Sequence, residues 1–144
     1  MKEIMKEKRK IIIVGLMVLL IVIVVVMILL NNNVNEKNIS IEEIIKENKT
    51  EVVYVENSDK KKCEKCKELK KYLDKKNIEY VLYDVNKYKK NEYKKMLQSL
   101  SINPSDFNYP AVIYIKDGSL YSDIINIKDT KVIDKFLKDN NIID

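Results

Sequence analysis

The sequence predicts an α/β fold in which a four-stranded mixed sheet is flanked by helices and preceded by one N-terminal transmembrane helix. Three observations lead to this prediction: an uninterrupted apolar run near the N-terminus, short β-forming runs that alternate with helical patterns, and a strong hairpin signal late in the chain. The chain therefore divides into a cytoplasmic tail at 1–10, a transmembrane signal anchor at 11–30, a spacer at 31–39 and a folded domain at 40–144.

The apolar run extends from Ile11 to Leu30 and contains no charged residue. A helix of about 20 apolar residues matches the roughly 30 Å hydrocarbon core of a bilayer. The run is longer than the apolar part of a cleaved signal peptide, and it ends in three asparagines without a small-residue cleavage site. We therefore expect an uncleaved signal anchor.

The charges on either side of this run predict its orientation. Five basic residues and two acidic ones precede it, whereas the twenty residues after it carry four Glu and three Lys. By the positive-inside rule the N-terminus stays in the cytoplasm. The predicted location is the cell membrane, crossed once, with the C-terminal domain outside the cytoplasm, where disulfides form and persist.

Composition excludes several classes of function. The net charge is +5, of which the tail supplies +3, so the folded part lacks the basic footprint of a nucleic-acid-binding protein. Because the chain has no His, it has neither His-based metal sites nor catalytic Ser/His or Cys/His pairs. Many Ile, Lys and Asn residues without Trp or His are typical of an AT-rich genome and favour a bacterial origin.

The folded domain begins with a helix and a buried strand. Ser40 and Glu43 fit the capping-box pattern ahead of an isoleucine-rich helical face. The segment Glu51–Glu56 has an unbroken β-forming centre, which is typical of a strand covered on both faces. A polar loop at 57–62 leads from this strand to Cys63.

Helical and strand patterns continue to alternate after the loop. Cys66, Leu69 and Leu73 are spaced i, i+3, i+7, which predicts a helix from Cys63 to about Lys76. A second buried strand at 80–85 and a helix from about 88 to 100 follow.

The last part of the chain predicts a hairpin and a closing helix. Pro110 precedes an apolar strand, Ala111–Ile115, and Asp117–Gly118 is a two-residue hairpin signal, so a strand at 120–125 should return antiparallel. A helix at about 130–140 should bury Val132, Ile133, Phe136 and Leu137. Strands joined through helices pair in parallel, so we expect the hairpin to add an antiparallel edge to the four-stranded sheet.

Cys63 and Cys66 are the only cysteines, and such a pair can exchange electrons, bind a metal or crosslink the chain. At the start of a helix, unpaired amides and nearby lysines favour a thiolate, so Cys63 should be the nucleophile and the shielded Cys66 should resolve a mixed disulfide. A four-thiolate zinc site would need a second pair, and therefore a dimer. A structural disulfide closing so short a loop would add little stability.

The order of these motifs resembles the thioredoxin superfamily. The matching residues are Val52–Val55, Cys63–Cys66, Pro110 and Lys116–Gly118, and the similarity covers roughly residues 40–142. The resemblance implies a thioredoxin-like fold, with Cys63 as the attacking and Cys66 as the resolving cysteine. It also implies that Pro110 is a cis-proline packed against the disulfide and that Tyr109 contacts substrate.

The sequence departs from the thioredoxin pattern around the cysteines. Lys62 stands where thioredoxins usually carry Trp, and Glu64 and Lys65 replace the usual Gly-Pro between the cysteines. The acidic residue that thioredoxins bury below the active site has two candidate counterparts, Glu56 and Asp59. These changes leave the fold prediction intact and leave the direction of electron flow open.

Together, the predicted anchor and the resemblance imply a membrane-anchored extracytoplasmic thiol/disulfide oxidoreductase that exchanges disulfides in exported proteins. We expect it to need no metal or cofactor beyond the Cys63–Cys66 disulfide. The expected partners are disulfide-containing exported proteins and a membrane or extracytoplasmic redox partner, with no nucleic acid. The alternative is a non-catalytic thioredoxin-fold adaptor of a membrane complex, for which a Cys63 thiol pKa near the ordinary value of about 8.5 would be expected.

Overall fold

The computed structural model describes residues 2–31 and 35–144, and it describes side chains at 12–27 and 35–144. The chain forms two units, 1–33 and 34–144. In the first unit, helix α1 extends over Lys2–Asn31, and the large apolar side chains from Ile12 to Met27 are exposed. Within the part of the chain whose side chains are described, no helix is long and apolar enough to cross a membrane. The predicted span at 11–30 extends beyond the described side chains at both ends, and it stays a prediction.

The second unit alternates short strands with helices. A 3₁₀ turn, Val85–Lys87, links its third strand to the following helix. The elements are β1 (Glu36–Lys37), α2 (Ile41–Lys46), β2 (Glu51–Glu56), α3 (Cys66–Lys75), β3 (Tyr80–Asp84), α4 (Lys90–Ser99), β4 (Ala111–Lys116), β5 (Ser119–Ile124) and α5 (Thr130–Asp139).

The strands form one mixed sheet in the order β1-β3-β2-β4-β5. β2 lies at its centre, parallel to β3 and antiparallel to β4. The predicted α/β fold with a mixed sheet and flanking helices is confirmed. The predicted number of four strands is wrong, since the sheet has five.

The additional strand, β1, lies inside the segment 31–39 that was predicted to be a spacer. Glu36 and Lys37 pair in parallel with Tyr80 and Val81, and the Tyr80 N–H donates to the carbonyl of Asn35 at 2.8 Å. Two polar residues carry no strand signal of their own. The free edge of β3 provides their hydrogen-bonding partners, so this strand depends on tertiary structure.

The orientation of β4 also differs from the prediction. Although α4 lies between β3 and β4, β4 runs antiparallel to its neighbour β2, and Ala111 pairs with Val55. The reason is that the segment 100–110 returns the chain to the end of the sheet where β2 finishes. Pro110 is thereby placed at the same end of the sheet as the loop that carries Cys63.

Helices cover both faces of the sheet because β2 is apolar on both sides. Val53 and Val55 face a core shared with α2 and α4, whereas Val52 and Tyr54 face a core shared with α3 and α5. The prediction that α5 buries Val132 is wrong, since this residue is 42% exposed. The helical period directs Ile133, Phe136 and Leu137 towards the sheet and leaves Val132 outside that stripe.

The β4–β5 hairpin has the turn that the sequence predicts. Asp117 and Gly118 both have positive φ, 51° and 72°, as a two-residue hairpin of this kind requires. A Cβ on Gly118 would lie 2.7 Å from the carbonyl oxygen of Ile45, so the position demands glycine for space as well as for conformation.

Candidate active site

The two cysteines lie where the loop after β2 meets α3. Cys66 is the first residue of α3, and its Sγ forms a disulfide with Cys63, with Cα atoms 5.5 Å apart. Both residues are buried, and Cys63, at 7% exposed against 3% for Cys66, is the more accessible.

The prediction that the helix begins at Cys63 is wrong, because the first helical residue is Cys66 and its N-cap is Lys65. The carbonyl of Asp59 accepts hydrogen bonds from the N–H groups of Lys62 and Cys63, at 2.9 and 3.1 Å, and so forms a separate turn. Because the Cys63 sulfur is bonded to that of Cys66, it still lies at the N-terminus of α3. Unpaired amides and the helix dipole favour a thiolate there.

A buried tyrosine ties the first turn of α3 to β2. The hydroxyl of Tyr54 donates to the carbonyl oxygen of Cys66 at 2.8 Å, and the Tyr54 side chain is fully buried. Burial, with a further contribution from the charge of Glu56, raises the pKa of Tyr54 far above its ordinary value, so the hydroxyl remains a donor. The sequence marked Tyr54 only as a strand residue, since its acceptor belongs to another element.

A buried carboxyl group lies at the end of β2. Glu56 is 8% exposed and pairs across the sheet with Asp84, which is also buried. Burial raises the pKa of Glu56, Lys70 lowers it in part, and the charge of Asp84 raises it further. Of the two acidic residues singled out in the sequence, Glu56 is therefore the buried one, whereas the Asp59 side chain is 35% exposed.

Asn57 connects the cysteine loop to the segment that precedes β4. This side chain is 5% exposed; its Nδ2 donates to the Tyr109 hydroxyl at 3.2 Å, and its Oδ1 accepts from the N–H of Asp59 at 2.9 Å. Sequence reasoning missed this residue. The available signal was a polar amide directly after a buried strand, where a side chain without a partner would be costly.

Tyr109 and Pro110 lie at the same end of the sheet as the disulfide. The peptide bond between them is cis, as the resemblance implies, and Pro110 is buried while Tyr109 is partly exposed. The carbonyl of Pro110 accepts from the N–H of Ile127 at 3.0 Å, which holds the segment in place ahead of β4. The structure thus brings the cysteine pair and Tyr109 to one end of the domain.

Positive charge surrounds the cysteine pair. Acidic side chains lie among these lysines: Lys65 pairs with Glu68 at 2.7 Å, Lys62 lies 3.9 Å from Asp59, and Glu64 stands between the two cysteines in the sequence. The five lysines between positions 60 and 67 outnumber the three acids of the same segment, Asp59, Glu64 and Glu68, so the loop has a net positive charge, which favours a thiolate. The lysines are Lys60, Lys61, Lys62, Lys65 and Lys67.

Comparison with known proteins finds a family similarity over part of the chain. Residues 52–117, from β2 through the hairpin turn, match the glutaredoxin family model. No curated protein sequence matches the chain.

Three solved structures are similar to this chain at low sequence identity. A structure on the thiol-resolving mechanism of yeast mitochondrial 1-Cys peroxiredoxin via glutathione/thioredoxin systems has a TM-score of 0.51 at 20% identity, covering 73% of this chain and 93% of its own. Mitochondrial thioredoxin 3 from Saccharomyces cerevisiae has a TM-score of 0.48 at 23% identity, covering 67% and 83%. Thioredoxin O2 from Arabidopsis thaliana has a TM-score of 0.49 at 12% identity, covering 69% and 81%.

The family match extends over both cysteines and the cis-proline, and the first of these structures has the same fold. The paired cysteines are spaced as CxxC and joined as a disulfide at a helix N-terminus. Residues 52–117 are therefore similar to the glutaredoxin family, and the CxxC-spaced disulfide within them supports a thiol–disulfide oxidoreductase.

Proposed function

We propose that this protein is a membrane-anchored thiol–disulfide oxidoreductase that exchanges disulfides in exported proteins outside the cytoplasm. The observation that carries the chemical part is the Cys63–Cys66 disulfide at the N-terminus of α3, with Tyr109 and cis-Pro110 at the same end of the sheet. The apolar run Ile11–Leu30, within helix α1, and the basic residues ahead of it support the anchored part.

The exchange has two steps. In the reduced protein the Cys63 thiolate attacks one sulfur of a substrate disulfide. A bond forms between Cys63 and the attacked sulfur, the substrate disulfide breaks, and its other sulfur leaves as a thiolate. The Cys66 thiolate then attacks Cys63 Sγ, which re-forms the Cys63–Cys66 disulfide and releases the second substrate thiolate. Two electrons pass to the substrate, and its thiolates take up protons from water.

Each turnover leaves the pair oxidised, so a second dithiol has to reduce it. We assign this role to a membrane or extracytoplasmic redox partner. The same steps run backwards when the partner supplies a disulfide and the substrate two thiols. No cofactor beyond the cysteine pair takes part in either direction.

Other residues at this end of the sheet have supporting roles in the proposal. Tyr109, partly exposed beside cis-Pro110, contacts the substrate segment. Glu56 takes the place of the buried acid, since its pKa is raised by burial whereas Asp59 serves to shape the turn ahead of Cys63.

Trapping of mixed disulfides tests the activity. In membranes that contain the full-length Cys66→Ser variant, substrates should remain attached to Cys63 and be released by dithiothreitol. The Cys63→Ser variant is the matched control and should trap none. If Cys66→Ser yields no reducible adduct, and the wild-type protein does not accelerate insulin reduction by dithiothreitol, the proposed disulfide exchange is refuted. The non-catalytic adaptor is then the alternative that remains.

Protease protection tests the anchor. In intact cells, a protease added outside should digest residues 34–144 of a C-terminally tagged chain and spare an N-terminal tag. Digestion of both tags only after lysis would contradict the proposed orientation.

A further inference from the structure

A groove of about 520 Å³ opens beside the cysteine pair, and the exchange steps above do not use most of its residues. Two of its lining residues are neighbours of the site in the chain, since Lys62 directly precedes Cys63 and Tyr109 directly precedes cis-Pro110. Three lysines and three tyrosines line it: Lys62, Lys90, Lys94, Tyr88, Tyr93 and Tyr109.

The lysines give the groove an unbalanced positive charge. Lys90 and Lys94 are exposed and form no ion pair within the described part of the chain, and Lys62 lies 3.9 Å from its nearest acid, Asp59. No Asp or Glu is among the described residues that line the groove. The nearest acid on α4, Glu92, accepts the N–H of Lys89 at the start of the helix and lines a different cavity.

Helix stability does not explain these charges. Lys90 is the first residue of α4 and Lys94 lies one turn later on the same face. A cation at a helix N-terminus is disfavoured by the helix dipole, and an anion there is favoured. An acidic ligand in the groove would reverse this unfavourable arrangement.

The tyrosines provide a fixed aromatic wall. Tyr88 is 46% exposed, yet its ring stacks on the buried ring of Tyr83, with centroids 4.4 Å apart and planes within 6°. The hydroxyl of Tyr109 accepts a hydrogen bond from Asn57, which fixes the ring beside cis-Pro110. Rigid rings of this kind provide contact area for an extended chain at little entropic cost.

We propose that this groove binds an acidic, extended segment of the substrate protein next to its reacting cysteine, so that the domain prefers cysteines flanked by Asp and Glu. The inference rests on the proposed function, because it names the substrates that the cysteine pair acts on. The carboxylates face Lys62, Lys90 and Lys94, and the chain between them packs against the tyrosines.

Peptide disulfides of graded charge test the proposal. The reduced full-length protein, in neutral detergent micelles, reacts with three peptides that share one disulfide and differ in four flanking residues: all Glu, all Gln or all Lys. We expect the rate constant to be about fivefold higher for Glu than for Gln, and lowest for Lys. The difference should shrink as salt is raised, because the lysines are exposed.

Two double variants separate the groove from general charge attraction. K90Q/K94Q removes two lysines spaced i, i+4 on α4, and K71Q/K75Q removes two exposed lysines with the same spacing on α3, away from the groove. Both lower the net charge equally. The Glu-to-Gln rate ratio should fall to about 2 in K90Q/K94Q and remain at the wild-type value in K71Q/K75Q.

A wild-type ratio of one, a ratio that K90Q/K94Q leaves unchanged, or an equal fall in both variants would overturn the groove proposal while disulfide exchange itself stands. Absence of reaction with all three peptides would instead overturn the proposed function. Because the four lysines are exposed, far-UV circular dichroism should confirm that both variants fold.

Discussion

The two ends of the sheet differ in what they bury. At the site end, where β2 and β3 finish, lie the three buried polar or charged residues of the described chain: Glu56, Asn57 and Asp84. At the turn end, where Asp117 and Gly118 join β4 to β5, the chain makes a tight turn that excludes any side chain at Gly118. The turn end is built for stability, whereas the site end retains groups whose burial carries a cost.

This difference separates two kinds of substitution. A change at the turn end should alter the free energy of unfolding and leave disulfide exchange unaffected. A change at the site end should alter both the free energy of unfolding and the rate of disulfide exchange. In some variants stability should rise while exchange slows. Unfolding can be followed by tyrosine fluorescence, because all nine tyrosines lie within the second unit.

Among substitutions at the two ends of the sheet, Gly118→Ala should have the largest effect on stability. The new Cβ would meet the Ile45 carbonyl, and a positive φ is strained for alanine, so the free energy of unfolding should fall by about 2 kcal/mol in urea titrations. The insulin-reduction rate of the folded protein should not change. As a control, Asp117→Gly, at a position that already has positive φ, should cost no more than about 0.5 kcal/mol. A slower exchange reaction in folded Gly118→Ala would contradict the separation of the two ends.

Tyr54→Phe should have a smaller effect on stability and a distinct effect on exchange. It removes the hydrogen bond to the Cys66 carbonyl, which should cost about 1 kcal/mol and slow exchange, since the first turn of α3 loses its tie to β2. Tyr80→Phe is the matched control, because this buried tyrosine donates to Asp74 at 2.8 Å, away from the cysteines. It should cost similar stability and leave the exchange rate unchanged; equal slowing in both variants would refute the role of Tyr54.

Glu56→Gln should stabilise the domain in a pH-dependent way. Because the folded-state pKa of Glu56 is raised, the folded protein binds more protons than the unfolded one between the two pKa values, and stability falls as pH rises through that window. The variant should remove this loss, so its advantage over the wild type should be small at pH 4 and larger at pH 7. The rate of disulfide exchange should fall in the variant, because Glu56 takes the place of the buried acid in the proposed function.

The control for this experiment is Glu64→Gln, which alters an exposed carboxylate between the cysteines. Its unfolding free energy should stay within about 0.5 kcal/mol of the wild type at both pH values. A lower free energy of unfolding for Glu56→Gln at pH 7 would mean that burial of the Glu56 carboxylate does not destabilise the folded domain.

Val132→Ser should have the smallest effect. This residue lies on the exposed side of α5, so replacing it should change the free energy of unfolding by no more than about 0.5 kcal/mol. Ile133→Ser, one position later and fully buried, should destabilise the domain by about 3 kcal/mol. Similar losses in the two variants would mean that α5 packs differently.

The parts of the fold that were predicted correctly depend on local patterns. The β-forming run of β2, the apolar spacing after Cys66 and the Asp117–Gly118 turn are each determined by neighbouring residues, since strands, helices and hairpin turns have short periods. The cis bond before Pro110 followed from the resemblance of the motifs. The predicted boundaries were less accurate. Helix α3 begins three residues later than predicted, because the N–H groups of Lys62 and Cys63 donate to the Asp59 carbonyl and form a separate turn.

The parts that were missed depend on distant partners. Strand β1 exists because β3 has an open edge, and the orientation of β4 follows from its pairing with β2. At the site, the bonds from Tyr54 to Cys66 and from Asn57 to Tyr109 join residues 12 and 52 positions apart. No local period encodes such contacts.

By itself, the sequence determined the succession of helices and strands, the CxxC pair and the positive charge around it, because these depend on residue type and short-range spacing. Only the tertiary structure decided which of Glu56 and Asp59 is buried, which tyrosine holds Cys66, and that Lys62, Lys90 and Lys94 line one groove. The physical reason is that burial and convergence are properties of the packed sheet, which brings together segments that are far apart along the chain.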